Sequence, residues 1–223
     1  MIHYNYTRRQ LEEKAVDLLK RFDPERLYKA KPIDVYAVIE NCLNAPYDWK
    51  YITPDQSILG LTAFKDGYLY VWPKPYYEPG MKPLTIALDK GTILIDSTLT
   101  EEPYRGRENF TVMHEVFHQV LHKRCFAHSN PDYTHTSTAS ALNGQFRRRT
   151  SLEICEHQAN YCAAAFLMPE DLTERILTQF NGSQGHLYLE DPQSKAIIAQ
   201  MAMEFSVSNS AMMYRLKNLG LAS

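Results

Sequence analysis

The chain has 223 residues, with 24 Lys and Arg against 26 Asp and Glu, a formal net charge of -2 and 44% hydrophobic residues. These globular proportions exclude disordered, collagen-like and coiled-coil classes, and the balanced charge argues against a dedicated nucleic-acid-binding protein. The sequence has no apolar run near the roughly 20 residues of a membrane span, no signal-peptide pattern and no glycine-rich phosphate-binding motif. It therefore predicts a soluble cytoplasmic protein that binds neither membranes nor nucleotides.

The N-terminal segment 7–45 has the pattern of two packing helices. Thr7 and Gln10 have the spacing of a capping box, and the apolar residues that follow at helical spacing predict a helix that ends before Asp23. A second helix is predicted over about 32–44. Both apolar stripes indicate core faces rather than a binding site.

The middle of the chain, residues 58–96, predicts a small, mainly antiparallel sheet. Two short turn sequences each lie between runs of β-forming residues, which is typical of hairpins. The turns are Asp66-Gly67 and 89–91, and the runs that they would join are 61–64 with 68–72, and 84–88 with 92–96.

The helices that carry the chemistry are predicted after this sheet, at 109–124 and 151–167, and a third helix follows over 169–180. Residues 123–150 between the first two are rich in Ser, Thr, Asn and Ala, and a connection of this length is typically functional or mobile. The four cysteines, which form no C-x-x-C pair, are interpreted as reduced packing residues: Cys42, Cys125, Cys155 and Cys162.

The sharpest motif is His114-Glu115-Val116-Phe117-His118. Two histidines at i and i+4 lie on one face of a helix, so both rings reach a single metal ion. Glu115 lies one step round the helix, where its carboxylate reaches a water on that ion without being a ligand. This H-E-x-x-H pattern is typical of zinc peptidases, and the alternative is a pair of unrelated histidines on a surface helix.

A catalytic zinc ion takes three protein ligands, and the motif supplies two. His122 continues the series, but at about 1.5 Å rise per residue it lies roughly 12 Å along the helix axis from His114, which is too far for one ion. We therefore interpret His122 as a residue that orients a ligand or packs beside it. Glu156 is the better third ligand, and Asn160 on the same helical face would hold a neighbouring ligand. The residues alone leave open a solvent-exposed Glu156.

Two linked motifs carry a family resemblance. The segment 106–113 leads into H-E-V-F-H-Q-V-L-H, and E-H-Q-A-N-Y-C-A-A-A-F-L-M-P follows at 156–169. This order resembles the ImmA/IrrE family of metallopeptidases, whose pattern is R-x-R-F-T-x-x-H-E-x-x-H-x-x-x-H and then E-x-x-A-N-x-F-A-x-x-L-L-M-P. The chain departs from that pattern without losing a ligand or the base, at Asn109, Phe117, Gln158 and Cys162.

The resemblance implies an α+β fold with a zincin-like metallopeptidase core. It also implies one zinc ion on His114, His118 and Glu156, with Glu115 as the catalytic base. The ligand types do not exclude Mn2+ in place of Zn2+. A further side chain should stabilise the oxyanion, and the sequence does not choose among the candidates: His128, Tyr133, His135, His157 and Tyr161.

The function implied by the resemblance is that of a zinc-dependent endopeptidase. Its protein substrate would be a helix-turn-helix transcriptional repressor, whose cleavage relieves repression of stress-response or mobile-element genes. One alternative is a non-enzymatic, metal-stabilised regulator that binds a repressor or DNA. Another is a zinc hydrolase that acts on small amides.

Residues 191–223 are predicted to form a C-terminal appendage to a metallopeptidase domain at 1–190. Their pattern indicates a helix, a turn and a second helix, with Ser208 capping the second helix and Gly220 ending it. The segment has few basic side chains, namely Lys195, Arg215 and Lys217. Since DNA binding relies on neutralising phosphates, we favour packing or docking of a protein partner, with direct DNA binding as the alternative.

Overall fold

The computed structural model describes residues 5–101, 103–127, 135–138, 150–182 and 185–223. The α-helices in these ranges are α1 (Arg8–Phe22), α2 (Val35–Val38), α3 (Arg105–Ala127), α4 (Ser151–Leu167), α5 (Glu170–Asn181), α6 (Pro192–Glu204) and α7 (Asn209–Leu219). The strands are β1 (Tyr47–Lys50), β2 (Ile58–Thr62), β3 (Gly67–Val71), β4 (Leu84–Leu88), β5 (Ile93–Asp96) and β6 (His135–Thr138). The fold is therefore mixed α+β, consistent with a zincin-like peptidase domain.

The first helix begins as predicted. The Thr7 hydroxyl accepts a hydrogen bond from the Gln10 backbone N–H, and the Gln10 side chain accepts one from the Thr7 N–H, which completes the capping box. The second helix begins later than predicted because the Asp34 carboxylate caps it. It continues as a π-helical turn, Ile39–Leu43, and ends at Asn44 in the left-handed conformation.

The main sheet has four strands in the order β1-β5-β2-β6. β1 runs parallel to β5, whereas β2 is antiparallel to both β5 and β6. On one face, Ile93 and Ile95 of β5 join the large core that includes α3. On the other face, Leu61 and Leu94 pack with Leu88 of β4, so the separate β3–β4 ribbon covers that side.

The predicted strand positions are close to the observed ones, but both predicted hairpins are wrong. β3 pairs with β4 and β2 pairs with β5, so neither turn joins adjacent strands of one sheet. The Asp66 carboxylate instead accepts a hydrogen bond from the Lys90 backbone N–H at 2.7 Å, which ties the two turns to each other. β2 and β5 are almost wholly buried, and burial of both faces favours pairing them at the centre of the sheet over local hairpins. β1 and β6 were not predicted.

Helix α3 packs on β2 and β5 of the sheet, and α4 packs against α3. α4 has the predicted bounds, and Thr150 and Glu153 form a capping box at its start. α3 is longer than predicted at both ends. Ala159 and Ala163 are fully buried, and such small side chains let α4 lie close to its neighbours.

The C-terminal helices share the main core. α7 is capped by Ser208 and ends at Gly220 in the left-handed conformation, as predicted. Met212 and Leu216 of α7 belong to the same buried cluster as α1 and α4. The division between residues 1–190 and 191–223 remains a prediction. Among the described helices, none is both long and apolar enough to cross a membrane.

Candidate metal centre

The packing of α3 on α4 brings three metal-ligating side chains together. The ligand atoms of His114, His118 and Glu156 all lie within 4.8 Å of one another. The Glu156 carboxylate oxygens lie 3.4 Å from His114 Nε2 and 3.2 Å from His118 Nε2. Both histidines are almost fully buried, and the Glu156 side chain is 15% exposed. Glu156 thus meets two histidines that lie 38 and 42 positions before it in the chain.

A hydrogen-bonded relay fixes the tautomer of His118. His122 Nε2 lies 3.0 Å from Gln158 Oε1, which only accepts, so His122 Nε2 carries a proton. The other nitrogen of a neutral His122, Nδ1, therefore accepts, and it lies 3.0 Å from His118 Nδ1. His118 Nδ1 is the donor in that pair, and its Nε2 keeps a lone pair directed at the cluster. His122 thus contacts His118 but lies outside the group of three clustered side chains.

Asn160 fixes the tautomer of His114 in the same way. His114 Nδ1 donates to Asn160 Oδ1 at 2.9 Å, so Nε2 of a neutral His114 also keeps its lone pair. The two Nε2 atoms lie 2.8 Å apart. Two lone pairs at this distance repel each other unless a cation lies between them. The buried cluster is therefore built to hold a positive charge.

The distances from Glu156 to the two histidines fit a tetrahedral metal ion, whereas the two Nε2 atoms, 2.8 Å apart, are closer than such an ion would hold them. Bonds of about 2.0–2.2 Å at tetrahedral angles separate two ligand atoms by roughly 3.3–3.5 Å. The distances from Glu156 to the two histidines, 3.4 and 3.2 Å, lie close to that separation. Burial opposes protonation of His114, but the hydrogen bond and charge of Glu156, together with the charge of Glu115 and the hydrogen bond to Asn160, raise the His114 pKa above its ordinary value. A metal ion would replace the proton that this environment attracts.

Glu115 lies beside the cluster and is completely buried. The Thr62 hydroxyl on β2 donates a hydrogen bond to Glu115 Oε2 at 2.7 Å. No sequence signal indicated this contact, because the two residues lie 53 positions apart and Thr62 belongs to no motif. The sheet thus holds the side chain that the sequence analysis assigns as the base.

The neighbouring cysteines pack rather than ligate. Cys155 and Cys125 lie in a small apolar cluster with Phe64 and Phe126. Burial raises the pKa of the Cys155 thiol to about 12, which disfavours the thiolate that binds metals. Within the described part of the chain, the metal-ligating group contains two histidines and one glutamate and no cysteine.

The proposed oxyanion donors are not gathered at the cluster by any described contact. Tyr161 is buried against Arg215, whose guanidinium carbon lies 5.8 Å from the ring centroid. His157 packs edge-on to Tyr161, with ring centroids 6.5 Å apart. His128 and Tyr133 lie outside the described residues, and His135 is described only as part of strand β6. The identity of the donor remains a prediction.

Comparison with known families decides the classification. The family model of the IrrE N-terminal-like domain, Peptidase M78, matches residues 76–217. The chain belongs to the Peptidase M78 family. This confirms the resemblance found in the sequence, and the match includes α3, α4 and all three clustered side chains. A search of curated proteins found no match.

One departure from the M78 pattern has a clear packing role. Phe117, where glycine is common, is fully buried, and its ring meets Phe166 of α4 edge-on with centroids 6.1 Å apart. This contact lies in the main core, on the α3–α4 interface. The substitution therefore fills space between the two helices that carry the cluster.

The relay through His122 yields a first prediction. His122→Leu should weaken metal affinity about 10- to 100-fold, the usual effect of removing a group that orients a metal ligand. Affinity can be measured by competition with a chromogenic zinc chelator. His186→Ala is the matched control, because His186 is only partly buried and its ring contacts Gly220 and Ser223. Equal affinity in the wild type and His122→Leu would remove the relay from the site.

Proposed function

We propose that the protein is a zinc-dependent endopeptidase of the H-E-x-x-H type. The observation that carries this proposal is the pair of histidine Nε2 atoms, 2.8 Å apart, faced by the Glu156 carboxylate. Imidazole and carboxylate ligands suit zinc, although they also accept manganese. Three protein ligands leave a fourth position for water or substrate, which is the arrangement of catalytic rather than structural zinc sites.

Each residue of the site would have a separate role in peptide hydrolysis. A zinc ion held by the three ligands would supply Lewis acidity that activates water and polarises the scissile carbonyl. Glu115 would take the proton from the attacking water and return it to the leaving amine. His122, Gln158 and Asn160 would hold the ligand rings in their metal-binding tautomers.

We further propose a protein substrate, a helix-turn-helix repressor in the cytoplasm. The support for this finer assignment is the family resemblance alone, through which cleavage would relieve repression of stress-response or mobile-element genes. Direct DNA binding by the C-terminal segment is disfavoured because Arg215, one of its few cations, is fully buried. The exposed residues of α7 include one cation, Lys217.

Glu115→Gln tests the proposed activity. The purified, zinc-loaded protein is incubated with each helix-turn-helix repressor encoded near its gene, and fragments are identified by mass spectrometry. We expect wild-type cleavage, and a rate about 10²- to 10⁴-fold lower in Glu115→Gln with metal content unchanged. The substitution keeps the size of the side chain and removes its basicity.

Glu108→Gln is the matched control on the same helix. Glu108 accepts a hydrogen bond from the Tyr36 hydroxyl at 2.6 Å, and glutamine can still accept it. We expect this variant to cleave at the wild-type rate. Wild-type protein that binds zinc and a repressor but leaves it intact would instead favour the non-enzymatic regulator.

A further inference from the structure

Strand β2 presents two residues to the carboxylate of Glu115. Gly60 and Thr62 are paired with Ile95 and Ile93 of β5, whose side chains enter the core shared with α3. Residues two apart in a strand face the same side. Gly60 and Thr62 therefore both face α3, and both lie against Glu115.

Thr62 binds the carboxylate directly. Its hydroxyl donates to Glu115 Oε2 at 2.7 Å and lies 3.3 Å from the Glu115 carbonyl oxygen. Both residues are completely buried. A hydrogen bond to a buried charged group is among the stronger contacts in a protein, so this one restricts how the glutamate can rotate.

Gly60 leaves the space in which the carboxylate lies. A Cβ atom at this position would lie 2.8 Å from Glu115 Oε1, 2.9 Å from Glu115 Cγ and 2.9 Å from Thr111 Cγ2. Gly60 does not have a positive φ, so its backbone conformation is open to other residues. The glycine is therefore needed for clearance and not for a special backbone shape.

We propose that Gly60 and Thr62 are positioning residues for Glu115, one by clearance and the other by a hydrogen bond. This rests on the proposed function in naming Glu115 the general base. A glutamate side chain has three rotatable bonds, and a general base must lie within hydrogen-bond reach of the proton it takes. β2 fixes that orientation from outside the metal-binding motif.

A double-mutant cycle tests the contact without any cleavage assay. Thr62→Val and Glu115→Leu are compared singly and together in chelator-treated protein by urea denaturation. We expect Thr62→Val to lower the folded-to-unfolded ratio about tenfold or more beside Glu115, and less than about threefold beside leucine. Equal effects in both backgrounds would reduce Thr62 to a packing residue and overturn the proposal.

The second readout is the rate at which each variant cleaves the repressor that the wild type cleaves in the experiment described above. Thr62→Val should lower kcat about tenfold with KM and zinc content unchanged, and Thr62→Ser should restore kcat. Gly60→Ala, made with Thr111→Ser to remove the second clash, should lower kcat in the same way. Wild-type kcat in Thr62→Val and in the Gly60→Ala pair would overturn the positioning role. A wild type that cleaves nothing would overturn the proposed function, whereas the cycle still decides whether Thr62 holds Glu115.

Discussion

Arg215→Ala should lower the free energy of unfolding by about 3–5 kcal/mol, the usual cost of removing one partner from a buried ion pair. Arg215 is completely buried, and its two terminal nitrogens donate to both oxygens of Glu12 at 2.9 and 2.6 Å. Its Nε donates to the Met168 carbonyl at 2.8 Å. The variant would leave a carboxylate that is only 14% exposed without its cation.

The size of this effect follows from the three helices that the Arg215 side chain connects. Arg215 lies on α7, Glu12 on α1 and Met168 at the end of α4. Lysine cannot replace it, because the paired, planar donors match a carboxylate in a way that a single ammonium does not. We therefore expect Arg215→Lys to recover only part of the loss.

Urea denaturation of chelator-treated protein measures the change without interference from metal binding. Arg9→Ala is the control on α1, since Arg9 pairs with Glu13 at 2.9 Å but is 90% exposed, and exposed pairs are worth about 0.2–1 kcal/mol. The double variant Arg215→Met with Glu12→Leu should lie close to the wild type, because both charges are removed together. A loss below about 1 kcal/mol in Arg215→Ala would contradict the buried-pair interpretation.

Local signals in the sequence predicted the helices well, because their ends depend on residues a few positions apart. Thr7 with Gln10 and Thr150 with Glu153 form the expected capping boxes. Ser208 and Gly220 bound α7 as expected. These contacts involve neighbours in the chain, so the residue types determine them.

Strand pairing could not be predicted from such local signals. Asp66-Gly67 has the composition of a tight hairpin turn, yet the Asp66 carboxylate binds the Lys90 N–H of a distant turn. Which strands meet depends on the burial of whole faces, and this depends on long-range packing. β1 was not predicted for a related reason: its partner β5 lies about 46 positions away and runs parallel to it.

The clustered side chains of the candidate site and two of their supports, His122 and Asn160, were predictable from the sequence, but the other supports were not. His114 and His118 are related by helical spacing, and Glu156 and Asn160 lie in a motif. Gln158 drew attention only as a departure from the family pattern, and its bond to His122 connects two helices. Thr62 and Gly60 touch Glu115 only because β2 crosses α3. The contacts of Gln158, Thr62 and Gly60 come from tertiary structure, so spacing along the chain carries no sign of them.

His118→Ala and Glu156→Ala should each weaken zinc affinity more than about 100-fold, since even the groups that orient ligands are worth about 10- to 100-fold. In the wild type we expect about one zinc ion per chain by elemental mass spectrometry. Zinc at 1,000 times its dissociation constant stabilises a folded protein by about 4.1 kcal/mol. The wild type should therefore gain thermal stability with zinc, and both variants should lose that gain.

His157→Ala is the matched control, because His157 follows Glu156 on α4 but lies outside the clustered ligand group. It should retain the full zinc content and the thermal shift.

Glu156→Gln separates charge from shape, since the amide keeps an oxygen near both histidines and removes the negative charge that favours a cation. We expect it to bind zinc more weakly than the wild type and more tightly than Glu156→Ala. Full zinc retention in Glu156→Ala would mean that two histidines and another group hold the ion, and the third-ligand assignment would then be wrong.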